Sequence, residues 1–324
     1  MAGAGAGDDF SETRTGPARS ILVLNGGPDR EAPISRQSGT TVAEALAEAG
    51  HDVTRAEIHP DDLSALDQFE AAGGELVFPV LHGPWGEGGG LQAILESRPL
   101  PFVGCRAAAA RLAMDKHATK RVVEPTVATP ASELLTAGKP LTLSPPLVLK
   151  PPQEGSSIGI AICRDEAEVA AARQRLERDH PMLLAEVFVE GRELTVGVIE
   201  TGDDPEPQVL PAIEICTATS FYDYEAKYER DDTTYHPNPD LPPGVEESLR
   251  SISREVFARV ECRHLARIDF ILDSEGKAWF LEVNTMPGFT SHSLLPQAAV
   301  AAGWTLPGVL DAIIGRALAG ETGA

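Results

Sequence analysis

Cysteine is scarce in this 324-residue chain, with four residues at Cys105, Cys163, Cys216 and Cys262. None stands in CxxC or metal-ligand spacing, which argues against a disulfide scaffold or a zinc site and for reduced thiols in a cytoplasmic protein. Basic residues are also few: 27 Lys and Arg face 49 Asp and Glu, a net charge of −22. So anionic a surface repels nucleic acid and anionic membranes, and neither is an expected partner. No apolar run is long enough for a membrane span. Residues 1–18 lack the apolar centre of a secretory signal; small, polar and acidic, they predict a disordered tail. Hydrophobic content is ordinary at 42%, and the length suits two or three domains with real cores.

What is present concentrates near the C-terminus, in ARIDFILDSEGKAWFLEVNTMPGFTSHSL. Two strand-like runs, 266–272 and 278–283, flank a turn at 273–276. Side chains alternate along a strand, so Arg267 and Asp269 share one face and Glu282 and Asn284 another. Ile268, Phe270, Leu281 and Val283 are expected on the core side. Pairing the runs would gather Asp269, Glu282 and Asn284 into an all-oxygen cluster, which suits Mg2+ or Mn2+ held jointly with phosphates. Arg267 and a backbone N–H at Gly288 could together stabilise a developing oxyanion.

Upstream, apolar runs at 20–25, 51–56, 75–81 and 101–103 alternate with helical patterns at 35–49 and 91–96. That alternation predicts a parallel sheet with ligand-binding turns at strand C-termini. One helix is expected over 107–124. Strands at 146–150 and 182–187 and a helix at 165–178 make a small α+β unit. Gly155–Gly159 (GSSIG) is rich in backbone donors and follows Lys150, an arrangement able to close on phosphate oxygens. The polar stretch 217–239 reads as one long loop, of a length usually functional or disordered.

RIDF, LEVNTMPG and FTSHSLLP resemble the C-terminal core of the D-alanine–D-alanine ligase family of ATP-grasp enzymes, and the likeness runs from about residue 19 to 318. It implies an ATP-grasp fold, α/β and α+β, in three domains. These are an N-terminal parallel-sheet domain at 19–104, a small central α+β domain at 105–189 and a larger C-terminal α+β domain at 190–320. By the same resemblance Lys116 and Lys150 hold ATP phosphates under a lid carrying Ser156. Glu186, Phe188, Val189 and Glu193 line the adenosine site. The 217–239 segment is an omega loop that brings Lys227 to the phosphates and Tyr228 over the first amino acid. His82 lies near that first substrate, while Ser293 and Leu294 anchor the carboxylate of the second. Tyr228 rather than His favours an amine nucleophile. A homodimer through the first domain is implied as well.

Two positions depart from the family pattern. In REAPIS (30–35) the family's Glu before an aliphatic residue and Ser is Pro33, which cannot bind an ammonium; Glu31, two residues earlier, is the candidate replacement. Gly88 stands where Asp is common. The resemblance implies an ATP-dependent ligase that makes D-alanyl-D-alanine for peptidoglycan through an acyl phosphate; the alternatives are a related ligase with a changed first substrate in specialised metabolism and a non-catalytic nucleotide-binding regulator.

Overall fold

A computed structural model describes residues 17–155, 159–202, 206–217, 233–290 and 292–321. The expected omega-loop residues Lys227 and Tyr228 and the lid residue Ser156 lie outside the described residues.

The first unit is built on β1 (Ser20–Gly26), α1 (Ala32–Glu48), β2 (Asp52–Ile58), α2 (Ser64–Ala71), β3 (Leu76–Pro79), α3 (Gly83–Gly86) and α4 (Gly90–Glu96). Its three strands are parallel in the order β2-β1-β3, as strand–helix alternation requires. β1 is apolar from Ile21 to Leu24 because both faces are covered. Ile21 and Val23 face α1 and the C-terminal helices, while Leu22 and Leu24 pack with Phe69, Leu91 and Phe102. The expected strand at 101–103 reduces to a single bridge, Val77 to Phe102.

The single helix expected over 107–124 is two: α5 (Ala107–Met114) and α6 (Lys116–Val123). Asp115 is extended, at φ −88° and ψ 97°, and its side chain accepts from the Ala118 N–H as an N-cap. The periodicity runs through the break, so only the cap chemistry marked it. The small unit follows: β4 (Ser132–Thr136), β5 (Leu147–Lys150), β6 (Ala161–Cys163), α7 (Glu166–Leu176) and β7 (Met182–Val187), in the antiparallel order β4-β7-β5-β6. α7 buries Val169, Ala172 and Leu176 on this sheet.

The larger sheet comprises β8 (Arg192–Ile199), β9 (Gln208–Val209), β10 (Ile213–Cys216), β11 (Thr234–Pro237), then, after α8 (Val245–Arg259), β12 (Leu265–Leu272) and β13 (Ala278–Asn284). Its order is β11-β10-β8-β12-β13, with β9 beside β8. The expected 217–239 loop therefore contains an edge strand, β11, antiparallel to β10. Thr and Tyr at 234–235 fit a half-buried edge, but the polar surroundings hid it. One face of the sheet packs on α5, α6 and α8 through Val196, Ile268, Phe270, Phe280 and Val283. The opposite face carries Ile199, Ile213 and Leu265 into the core of the first unit, closed by α9 (Leu294–Ala301) and α10 (Leu306–Glu321). Among the described residues no single helix is long and apolar enough to cross a membrane. α9 and α10 pass such a test only as a pair bent by 104°, and their apolar residues are in this core.

The β12–β13 pairing differs from simple alternation in one respect. Asp269 faces Glu282, but Phe270 faces Phe280, so the register shifts and Leu281 is the extra residue of a β-bulge. Leu281 is half-buried outside the core clusters, and Phe280 takes the core position expected of it. Phe270 and Phe280 meet edge to face, with centroids 6.3 Å apart. Phe280→Ala should cost about 3–5 kcal/mol of stability and Leu281→Ala less than about 1 kcal/mol, measured by urea denaturation; equal losses would contradict the bulge.

Candidate active site

Asp269 is the hub of the cleft. Its carboxylate accepts from Arg267 in bidentate fashion, Nε to Oδ1 at 3.0 Å and a terminal nitrogen to Oδ2 at 3.1 Å. Thr195 Oγ1 donates to Oδ1 at 2.6 Å, and Asn284 Nδ2 donates to Oδ2 at 3.1 Å. The register explains the gathering: Asp269 lies between Thr195 on β8 and Glu282 on β13, and Arg267 lies opposite Asn284. Bonded through its amide nitrogen, Asn284 keeps its carbonyl oxygen for another partner. Asp269, Glu282 and Asn284 thus share one face with oxygen donors, which fits Mg2+ or Mn2+ shared with phosphates. Among the described residues no group of three His, Cys, Asp or Glu gathers; this set is two carboxylates and an amide.

Lysines face these acids. Lys116 Nζ lies 3.2 Å from Glu282 Oε2 and donates to the Glu154 carbonyl at 2.7 Å. The break at Asp115 sets this geometry. It starts α6 at Lys116, whose N–H bonds the Pro152 carbonyl, and Asp115 also accepts from Gln153. The base of the Gly155 loop is therefore tied to α6. On the small sheet, Lys150 pairs with one oxygen of buried Glu186 and Lys120 with the other at 2.9 Å. Burial pushes the Glu186 carboxyl up, but Lys120 and Lys150 outweigh it and hold it below the ordinary value. Burial in turn pulls Lys120 down, against the charge of Glu186. Lys120, Thr195 and Glu87 are site residues the sequence reading missed. Lys120 follows Lys116 by one helical turn, and Thr195 alternates with Glu193 along β8, both readable spacings.

Glu87, Lys116, Gly155, Glu282 and Asn284 line one cleft. Phe188 and Val189 are half-buried in the crossing from β7 to β8, and Glu193 is half-buried on β8. The Ser293 hydroxyl accepts from the Thr290 N–H at 2.9 Å and lies so close to Gly288 that a Cβ there would sit 2.8 Å from it. Leu294 opens α9 with its side chain in the core, leaving its backbone N–H as the group able to meet a ligand. His292 is exposed.

The sequence profile described as "D-ala D-ala ligase C-terminus" matches residues 126–315. A curated D-alanine–D-alanine ligase of Bordetella avium (strain 197N) is 42% identical over 306 residues, 92% of this chain and 94% of that protein. The Moorella thermoacetica ligase is 37% identical over 92% of this chain and 99% of its own. The chain belongs to the D-alanine–D-alanine ligase family. Among solved structures, the VanG D-Ala:D-Ser ligase of Enterococcus faecalis superposes with a TM-score of 0.80 at 27% identity, covering 93% of this chain and 100% of that one. The ATP complex of the Bacillus anthracis D-alanine–D-alanine ligase superposes with 0.79 at 28% identity, covering 95% and 99%. The fold is accordingly ATP-grasp.

Against this ligase family the two departures take physical form. Pro33 is exposed in the first turn of α1. Glu31, just before that helix, is buried; one carboxylate oxygen lies 2.9 Å from where a Cβ at Gly83 would be and the other 3.2 Å from one at Gly155. The acid of this segment therefore reaches the cleft from position 31, and Pro33 only starts the helix. At Gly88 a Cβ would stand 2.3 Å from the Pro84 carbonyl oxygen, so this turn has no room for Asp. His82 is buried beside the Met286 backbone and Arg267; burial, above all, lowers it to about 4, so it is neutral.

Lys120→Met leaves Glu186 one cation instead of two and should cost about 3 kcal/mol in urea denaturation; a loss under about 1 kcal/mol would mean that Lys150 alone compensates the buried charge. A pH effect follows from two buried histidines and the half-buried Glu87. Burial lowers His82 to about 4 and His264 to about 3, so below pH 6.5 the unfolded chain binds two more protons than the folded one. Glu87 is raised from 4.5 to about 8, chiefly by burial, and binds its proton in the folded state. Between pH 4.5 and 6.5 the two histidines outweigh the one acid, so stability rises by about 1.4 kcal/mol per unit. Above 6.5 Glu87 acts alone and stability falls toward pH 8. Denaturation of the ligand-free protein should show a maximum near pH 6.5.

Proposed function

We propose that the protein joins two D-alanines into D-alanyl-D-alanine at the expense of ATP, a precursor step for peptidoglycan, in the cytoplasm. The observation that carries this reading is the oxygen set of Asp269, Glu282 and Asn284 facing Lys116 across one cleft, in a chain of this family.

Lys116 and Lys150, with Lys227, hold the triphosphate, and Ser156 closes over it; Glu186, Phe188, Val189 and Glu193 take the adenosine. Asp269, Glu282 and Asn284 would hold Mg2+ or Mn2+, whose charge, when bound, screens the phosphates. Each cleft cation begins paired with an acid: Arg267 with Asp269, Lys116 with Glu282. On ATP binding those internal pairs would exchange for external ones, so little net charge would be buried. Glu31, with Ser156 and Tyr228, orients the ammonium of the first D-alanine, and neutral His82 stands beside it. Its carboxylate oxygen attacks the γ-phosphorus, the bond to the β-phosphate oxygen breaks, and ADP leaves an acyl phosphate. Ser293 and the Leu294 N–H hold the carboxylate of the second D-alanine. Its ammonium gives up a proton to solvent, and the resulting amine attacks the acyl carbon. Arg267 and the Gly288 N–H stabilise the oxyanion, the C–O bond to phosphate breaks, and the dipeptide forms. Closure keeps water from the acyl phosphate.

The test is phosphate release from ATP over a panel of D-alanine, D-serine, D-lactate and L-alanine. D-alanine alone should support release and dipeptide formation. Release only with another acid or amine would move the function to a related ligase. Tight ATP binding with no release from any of them would favour a regulator. Arg267→Ala should lower kcat by about 10²–10³-fold with little change in ATP affinity.

A further inference from the structure

Glycine at position 288 solves one problem and creates another. A Cβ there would stand 2.8 Å from the Ser293 hydroxyl and 3.8 Å from the Ser38 hydroxyl, so a side chain would push into the anchor of the second substrate. Glycine also has the freest backbone of any residue, and an N–H that serves an oxyanion has to keep one direction. Contacts from outside the loop supply the constraint. Ser38, on α1, is fully buried, and its Oγ accepts from the Phe289 N–H at 3.1 Å. A peptide is planar, so this bond sets the orientation of the whole Gly288–Phe289 unit. The Phe289 ring is buried as well and meets Phe78 of β3 edge to face, with centroids 6.0 Å apart. Before Gly288, Pro287 has a fixed φ and Met286 is buried beside His82. After it, the Thr290 N–H and hydroxyl each lie 2.9 Å from Ser293 Oγ, and the Ser293 N–H returns to the Thr290 carbonyl at 2.9 Å. Ser38 thus ties the first unit to a loop whose two ends carry the Gly288 N–H and the Ser293 hydroxyl.

We propose that Ser38 is a positioning residue for the second half of the reaction. By holding the Phe289 N–H it keeps the Gly288 N–H aimed at the acyl oxygen and Ser293 at the carboxylate of the incoming amino acid. This deepens the proposed function and rests on the roles given there to Gly288 and Ser293. The surroundings of Ser38 are dry, so without its hydroxyl the Phe289 N–H has no solvent to turn to, and a buried donor left unmet is costly. The loop shifts to satisfy it, and a misplacement of about 1 Å at a reacting group costs on the order of 10²-fold in rate. The consequence is selective. ATP and the first amino acid are held by other residues, so the acyl phosphate still forms; its capture by the amine is what slows. An acyl phosphate that waits passes its phosphoryl group back to ADP, which restores ATP and the free carboxylate.

The test uses the full chain, D-alanine, and ATP carrying 18O in the bridge between its β and γ phosphates. Each return from the acyl phosphate scrambles that label into the non-bridging positions of the β-phosphate. Exchange counted per dipeptide formed therefore reads how the acyl phosphate is partitioned. Ser38→Ala should raise this ratio about 10–10²-fold and raise the D-alanine concentration needed at the second site, with the KM for ATP unchanged. Ser38→Cys, a weaker acceptor in the same place, should fall between. Ser35→Ala removes a second fully buried hydroxyl of α1, which bonds Gly26 and Val80; it should lose stability in thermal melting without changing the ratio. An unchanged ratio in folded Ser38→Ala, or an equal rise in Ser35→Ala, overturns the inference. Should Ser38→Ala fail to fold, Ser38→Cys decides: the ratio of the unaltered protein in that variant overturns the inference, and a raised one supports it. Dipeptide and exchange both absent from the unaltered protein would defeat the proposed function, and the role of Ser38 with it.

Discussion

The pairing of β12 with β13 around the bulge at Leu281 is what the site depends on. A strand alternates, so one register cannot send both Phe280 into the core and Glu282 toward Asp269. One extra residue resolves the conflict: Phe280 stays opposite Phe270, and Glu282 turns to face Asp269. Asp269 is then over-determined, bonded to Arg267, Thr195 and Asn284 from three strands. Groups held so firmly lose little freedom when a ligand arrives, which is the basis of preorganised electrostatics.

A chain with net charge −22 nevertheless presents cations where a polyphosphate would sit. It does so without exposing unpaired charge. Lys116, Lys120, Lys150 and Arg267 are each matched to Glu282, Glu186 or Asp269. Such pairs contribute little to stability by themselves, since desolvation offsets attraction. Their value lies in being exchangeable: a ligand that carries both signs can replace each internal partner with an external one.

The first unit and the larger sheet are not separate bodies. Ile21, Val42 and Phe78 share one apolar cluster with Ile213, Phe289, Leu310 and Ile313. Through that core Ser38 of α1 reaches the Phe289 N–H at 3.1 Å, beside Gly288 and Ser293. The loop that would receive the second amino acid is thus braced by the unit that contributes Glu31 and His82.

The sequence by itself determined the α/β character, the parallel first sheet and the oxygen-rich face of 267–284. These rest on local periodicity and residue chemistry, which a chain carries without its partners. It also carried the family likeness, since RIDF and LEVNTMPG are contiguous. Tertiary structure decided the rest. The bulge at Leu281 and the break at Asp115 are one-residue events that leave the hydrophobic period almost intact. Lys120, Glu87 and Thr195 look like ordinary helix, turn and strand residues until the fold sets them against Glu186, the Gly83 N–H and Asp269. Pro33 drew the eye by its position in a motif, yet distance in space, not in sequence, brings Glu31 to Gly83 and Gly155.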